Sequence, residues 1–126
     1  FIKSILTNQP ITMYGDGSTS RDYTYVDDIM RGILAAINYD RSQFEIINLG
    51  NNHGVSLKEL ISNIEEVTGS KATIDQQPEQ PGDVPITFAD ISKAKQLLDY
   101  QPTTLLKDGL NNFYRWFLDN KELLLH

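Results

Sequence analysis

Residues 14–28 read Tyr14-Gly15-Asp16-Gly17-Ser18-Thr19-Ser20-Arg21-Asp22-Tyr23-Thr24-Tyr25-Val26-Asp27-Asp28. Glycines and a hydroxyl run come first, then a single arginine ahead of alternating tyrosines, then a pair of aspartates. Arg21 to Tyr25 has the alternation of a β-strand. From Val26 the period changes: Val26, Ile29, Met30, Ile33 and Ile37 fall at helical spacing. Asp27 and Asp28 stand in the first turn, where negative charge suits the helix dipole. The stretch is therefore a loop, a strand and a helix in succession.

The flanking sequence continues this alternation. Ile11-Thr12-Met13-Tyr14 is a short strand after the Asn8-Gln9-Pro10 breaker, and Phe1 to Leu6 reads as the body of a helix. Phe44 to Leu49 is apolar and β-branched enough for a buried strand ended by Gly50. Ser56-Leu57-Lys58-Glu59 is a capping box, followed by the apolar stripe Leu57, Leu60, Ile61, Ile64 and Val67 and closed by Gly69. Ala72-Thr73-Ile74 and Ile86-Thr87-Phe88 are brief strand candidates on either side of a proline-rich stretch. Asp90 is placed to cap a helix carrying Ala94, Leu97 and Leu98. Thr103 or Thr104 can cap a last helix lined by Leu106, Leu110, Phe113 and Phe117. The expected fold is a small mixed α/β (α+β) domain over residues 1–126, with short strands and four to five helices.

Composition narrows the function classes. The chain has 126 residues, of which 40% are hydrophobic and 22% charged, so it is of one-domain size with a real core. Its net charge of −6 and scattered lysines and arginines argue against nucleic acid. No run reaches the roughly 18 apolar residues of a membrane span. The absence of cysteine removes disulfides and thiol chemistry and fits a cytoplasmic setting. An anionic small ligand remains compatible if a few cations and N–H groups are placed locally.

Several chemistries compete for residues 14–28. Gly15-Asp16-Gly17 approaches a dinucleotide fingerprint, but that motif must open a helix, and strand formers follow here. Asp16, Ser18, Ser20 and Asp27 match ligand positions of a calcium loop, yet Arg21 occupies the place where its sharp turn needs glycine. Phosphate binding fits better: the loop offers backbone N–H groups and an arginine fork grips phosphate oxygens. On these residues alone one arginine and a loop are a weak signal, and a plain hairpin, with Arg21 paired to Asp22 or Asp27, is the stronger reading. His53 sits in a polar loop, Asp27 and Asp28 suit a helix start, and Tyr23, Tyr25 and Trp116 suit packing.

Together, Tyr14-Gly15-Asp16-Gly17, Arg21-Asp22-Tyr23 and Tyr25-Val26-Asp27-Asp28-Ile29 resemble the substrate-binding half of the NAD-dependent nucleotide-sugar epimerase/dehydratase family, the extended short-chain dehydrogenases. Asn48-Leu49-Gly50, Gln80-Pro81-Gly82-Asp83-Val84, Ala89 to Ala94, Tyr100-Gln101-Pro102, Gly109-Leu110 and Trp116-Phe117 continue the resemblance in order. Within the family the wording is most similar to UDP-glucuronate 4-epimerases, with UDP-glucose 4-epimerases next. The resemblance implies that Thr12 and Tyr14 edge the uracil, that Arg21 holds the diphosphate, and that Asp83 lies near the ribose hydroxyls. Gln80 stands where many members carry a second phosphate-binding arginine.

The family's catalytic pair is Tyr-x-x-x-Lys, in which the lysine makes the tyrosine a base near neutral pH. The residues four places after the six tyrosines here are Ser18, Asp27, Ile29, Gln43, Thr104 and Leu118. No catalytic residue is therefore expected within this chain, and no NAD site either. The resemblance implies the C-terminal substrate domain of a longer NAD-dependent enzyme, commonly a homodimer, with this portion inactive by itself. A stand-alone UDP-binding or scaffolding module and the substrate domain of a 4,6-dehydratase are the alternatives. So is a folded portion whose pocket needs both domains before it binds.

Overall fold

The computed structural model describes residues 1–124. Six helices and four short strands follow one another: α1 (Ile2–Leu6), β1 (Ile11–Tyr14), β2 (Ser20–Arg21), α2 (Val26–Ile37), β3 (Val55–Ser56), α3 (Leu57–Thr68), β4 (Ile74–Gln77), α4 (Ser92–Leu98), α5 (Leu106–Asp119) and α6 (Lys121–Leu124). The mixed α/β class expected from the sequence is what forms.

Helix α3 organises the core. Ser56 Oγ accepts from the Glu59 N–H at 3.2 Å, and Gly69 closes the helix in the left-handed conformation at φ 67°. Its stripe faces two ways. Leu60 and Ile64 pack with Ile2 and Ile5 of α1 and Phe117 of α5, while Ile61 meets Ile11 and Met13 of β1. A third cluster, Ile91, Ala94 and Tyr100, gathers Ile47, Leu49 and Leu98. Burying the α3 leucine and isoleucines contributes about 1.5–3 kcal/mol each.

Strand β1 runs parallel to β4 from Ile11 opposite Ile74 to Tyr14 opposite Gln77. Ile11 and Met13 point inward; Thr12 and Tyr14 point outward. The Ile11 and Gly15 N–H groups donate to Thr73 and Gln77. The backbone alternation therefore turns the N–H and C=O of Thr12 and Tyr14 to the opposite edge. No strand pairs with that edge among the described residues.

Several expected elements differ. The strand from Arg21 stops at once: Ser20 and Arg21 pair with Ser56 and Val55. Tyr23 then turns into the α1–α3–α5 cluster, while Tyr25 precedes α2 in extended conformation. Ala72 does not join β4, because its N–H donates to Glu65 Oε1 at 2.9 Å, and the ladder begins beyond it. Phe44–Leu49 forms no strand. Ile47 and Leu49 pack inward, but Phe44 and Ile46 remain 79% and 72% exposed, with no strand of the described residues beside them. Neither Thr103 nor Thr104 caps α5, whose N-cap is Leu105. Their N–H groups go instead to the buried Asp28 carboxylate, at 3.2 and 3.0 Å. Asp90 accepts from the Ser92 N–H at 2.9 Å, one residue ahead of the cap position. Trp116 contacts the Phe113 ring at 5.6 Å between centroids yet stays half exposed.

Candidate functional site

The loop after β1 is anchored on α3. Lys58 N–H donates to Gly17 O at 3.0 Å and Leu57 N–H to Thr19 O at 2.9 Å. Its Ser18 N–H donates to Asp16 Oδ1 at 2.9 Å. The Ser18 hydroxyl and N–H hold the Asp16 carboxyl below its ordinary range. The loop thus carries its own anion at the amide where a phosphate cradle would need an open donor.

Arg21 lies at the end of β2, and its guanidinium is held on two sides. Nη1 donates to Ser20 O at 2.8 Å and Val84 O at 2.9 Å; Nη2 donates to Asp83 Oδ1 at 2.5 Å. Both side chains of this pair are partly exposed, at 32% and 40%. The hairpin pairing with Asp22 or Asp27 does not form. Asp22 instead accepts from the Asn51 N–H (2.9 and 3.2 Å), the Asn52 N–H (3.1 Å), the Ala89 N–H (3.0 Å) and the Thr24 hydroxyl (3.2 Å). One buried-side carboxylate thereby joins the chain after β2, the turn at Asn51 and the segment entering α4. That segment also bonds β2 directly: Ser20 N–H donates to Pro85 O at 2.8 Å and Thr87 N–H to Ser20 O at 3.1 Å.

The proline-rich loop hangs between β4 and this junction. An open cleft of ≈ 270 Å³ separates it from β1, lined by Tyr14, Ser18, Thr19, Glu79, Gln80, Asp83 and Pro85. Tyr14, Gln80 and Asp83 therefore meet in one place. Thr12 does not line the cleft but shares the outer face and free edge of β1 with Tyr14. Arg21 opens onto an adjoining shallow recess of ≈ 280 Å³ with Asp22, Thr24, Gly50 and Thr87. Its ion pair with Asp83 connects the two hollows. Sequence reasoning missed Glu79, which lies against Gly15, and the Val84 carbonyl that steadies Arg21. A carbonyl has no residue signature, and Glu79 carries no motif.

A larger recess of ≈ 500 Å³ lies elsewhere, between His53, Glu59 and the Thr103–Lys107 segment. It contains none of Thr12, Tyr14, Arg21, Gln80 and Asp83. No described helix is long and apolar enough to cross a membrane.

Comparison with known proteins places the fold. The fold is that of nucleotide-sugar-modifying enzymes: the chain is 40% identical over 125 residues to the UDP-glucuronate 4-epimerase of Thermodesulfobacterium geofontis, covering 98% of this chain and 38% of that protein. The Bacillus cereus UDP-glucuronic acid 4-epimerase, solved with UDP-glucuronic acid and NAD, superposes with a TM-score of 0.82 at 39% identity, over 94% of this chain and 38% of that one. An epimerase of Methanothermobacter thermautotrophicus superposes with a TM-score of 0.90 at 35% identity, over 97% and 37%. Residues 1–113 match the family described as GDP-mannose 4,6 dehydratase, and the chain belongs to that family. It spans less than two fifths of the length of these relatives.

Proposed function

We propose that this chain is the UDP-binding part of an NAD-dependent UDP-sugar 4-epimerase, of the UDP-glucuronate or UDP-glucose type. The single observation that carries the proposal is the ion pair of Arg21 with Asp83, which sets a guanidinium beside the Tyr14 cleft that Asp83 lines. Uracil offers one N–H donor flanked by carbonyl acceptors, and the free β1 edge at Thr12 and Tyr14 offers the complementary C=O and N–H groups. The Tyr14 ring flanks the base. Asp83 accepts from the ribose hydroxyls, and Gln80 gives a neutral contact at the cleft mouth. The family's description is of a dehydratase, but relatives at 40% identity are epimerases, which favours epimerisation.

NAD, present in the B. cereus enzyme, does not fit this chain's residues. Gly15-Asp16-Gly17 leads into β2 rather than opening a helix, and the first amides of α3 that meet this loop are spent on Thr19 O and Gly17 O, so the loop is not built as a pyrophosphate-holding turn. We assign the hydride chemistry to the remainder of a longer enzyme. The present residues clamp the nucleotide, and binding energy from that non-reacting half positions the sugar.

Titrating UDP into the chain and into Arg21→Ala tests the proposal. Loss of a charge-assisted contact costs about 1.5–3 kcal/mol. Because Arg21 is a third exposed, the lower end applies, and affinity falls about tenfold. Equal binding by the variant removes Arg21 from the site.

A further inference from the structure

The guanidinium that would take a diphosphate is already engaged through three of its five N–H groups. Asp83 bonds Arg21 Nη2 at 2.5 Å, while Ser20 O and Val84 O hold Nη1. A bidentate grip through both terminal nitrogens is therefore not on offer. One Nη2 N–H and the Nε N–H remain, and a phosphate that reaches them meets the Asp83 charge unless that carboxylate exchanges partners. The two backbone carbonyls keep the guanidinium in place during that exchange.

The geometry also lets Asp83 move alone. It follows Gly82, whose φ of +87° and empty surroundings make it a low-cost pivot. Its N–H is tied only locally, to Gln80 O at 3.1 Å, whereas Pro85 and Thr87 are pinned to Ser20. The carboxylate lies at the boundary between the Arg21 recess and the Tyr14 cleft, so a small rotation takes it from one into the other.

Resting on the nucleotide reading above, we propose that Asp83 is a specificity-determining residue that acts by partner exchange. It is Arg21's resident counter-ion, and it yields that cation only to a ligand that re-satisfies the carboxylate. A nucleoside diphosphate does so, because its vicinal ribose diol donates to Asp83 as its phosphates accept from Arg21. A diphosphate without a diol strands the carboxylate beside a like charge and binds poorly. The Arg21–Asp83 pair is thus an internal competitor that filters out inorganic pyrophosphate and free phosphate.

Isothermal titration of inorganic pyrophosphate and of UDP into the chain, Asp83→Asn and Asp83→Ala tests this. Releasing a partly exposed pair alone frees up to about fivefold in affinity, and removing the like charge adds to it. Pyrophosphate should bind both variants about five- to tenfold tighter than the parent. UDP should gain less or lose affinity, so the preference for UDP over pyrophosphate falls. Since Asp83 is an exposed loop residue, both variants fold, which matching circular-dichroism spectra check. Unchanged or weaker pyrophosphate binding by both variants, with UDP still binding the parent, overturns the exchange alone. Failure of UDP itself to bind the parent overturns the nucleotide reading, and the exchange with it.

Discussion

Asp28 gives the sharpest stability prediction. Its side chain is 1% exposed and accepts from the N–H groups of Thr103 and Thr104, with Arg31 as its ion-pair partner. Arg31 is half exposed, so Asp28 acts chiefly as a buried acceptor that staples the segment before α5 to the start of α2. Asp28→Asn keeps the shape but turns an amide N–H toward a backbone donor. One buried donor left unpaired costs about 1–3 kcal/mol, and weakening the remaining charge-assisted bond adds about 1 kcal/mol. The expected loss is about 2–4 kcal/mol. Arg31→Ala removes only a half-exposed partner and should cost about 1 kcal/mol or less. Urea unfolding at neutral pH, compared through midpoints at a common slope, measures both. A loss for Asp28→Asn no larger than that for Arg31→Ala would refute the staple.

The same carboxyl predicts an acid limb. Burial raises its pKa, but the Thr103 and Thr104 N–H groups, the Thr104 hydroxyl and Arg31 outweigh burial and hold it below the ordinary 3.8. The unfolded chain therefore takes up the proton first as pH falls. The stabilisation is complete above the ordinary carboxylate range and disappears as pH drops below it, and Asp28→Asn should flatten that limb. Gly50→Ala puts a Cβ 2.5 Å from the Ala89 Cβ and 2.8 Å from Asp22 Oδ2. It should cost about 1–3 kcal/mol by prying open the Asp22 junction, read in the same urea assay. Ser56→Ala removes the α3 cap and should cost about 1 kcal/mol; no loss would mean that the 3.2 Å contact contributes nothing.

The helices were legible because local rules and tertiary packing agree there. The α3 cap, stripe and terminal glycine all survive in the structure, and the period change at Val26 marks the start of α2. The path of 44–49 was not legible, since a dense apolar and β-branched run reports burial but not a neighbouring strand to pair with. Thr103 and Thr104 were misread because a capping hydroxyl is a local signal, whereas the acceptor that claims their N–H groups lies 75 and 76 residues away. The site divides in the same manner. Arg21 and Asp83 are 62 residues apart, and no spacing rule joins them. Only the family resemblance assigned both to one ligand, and the fold then brought them into contact. Conversely, the expected partners Asp22 and Asp27 lay close in sequence, yet Asp22 is consumed by backbone amides from distant segments.

The most direct test of the account is to map UDP on the isotope-labelled chain by amide chemical-shift perturbation. Shifts are expected at Thr12 and Tyr14, at Arg21, and through the Glu79–Val84 loop, all saturating with one affinity. Shifts confined to the recess between His53 and Lys107, or none at saturating UDP, would contradict it.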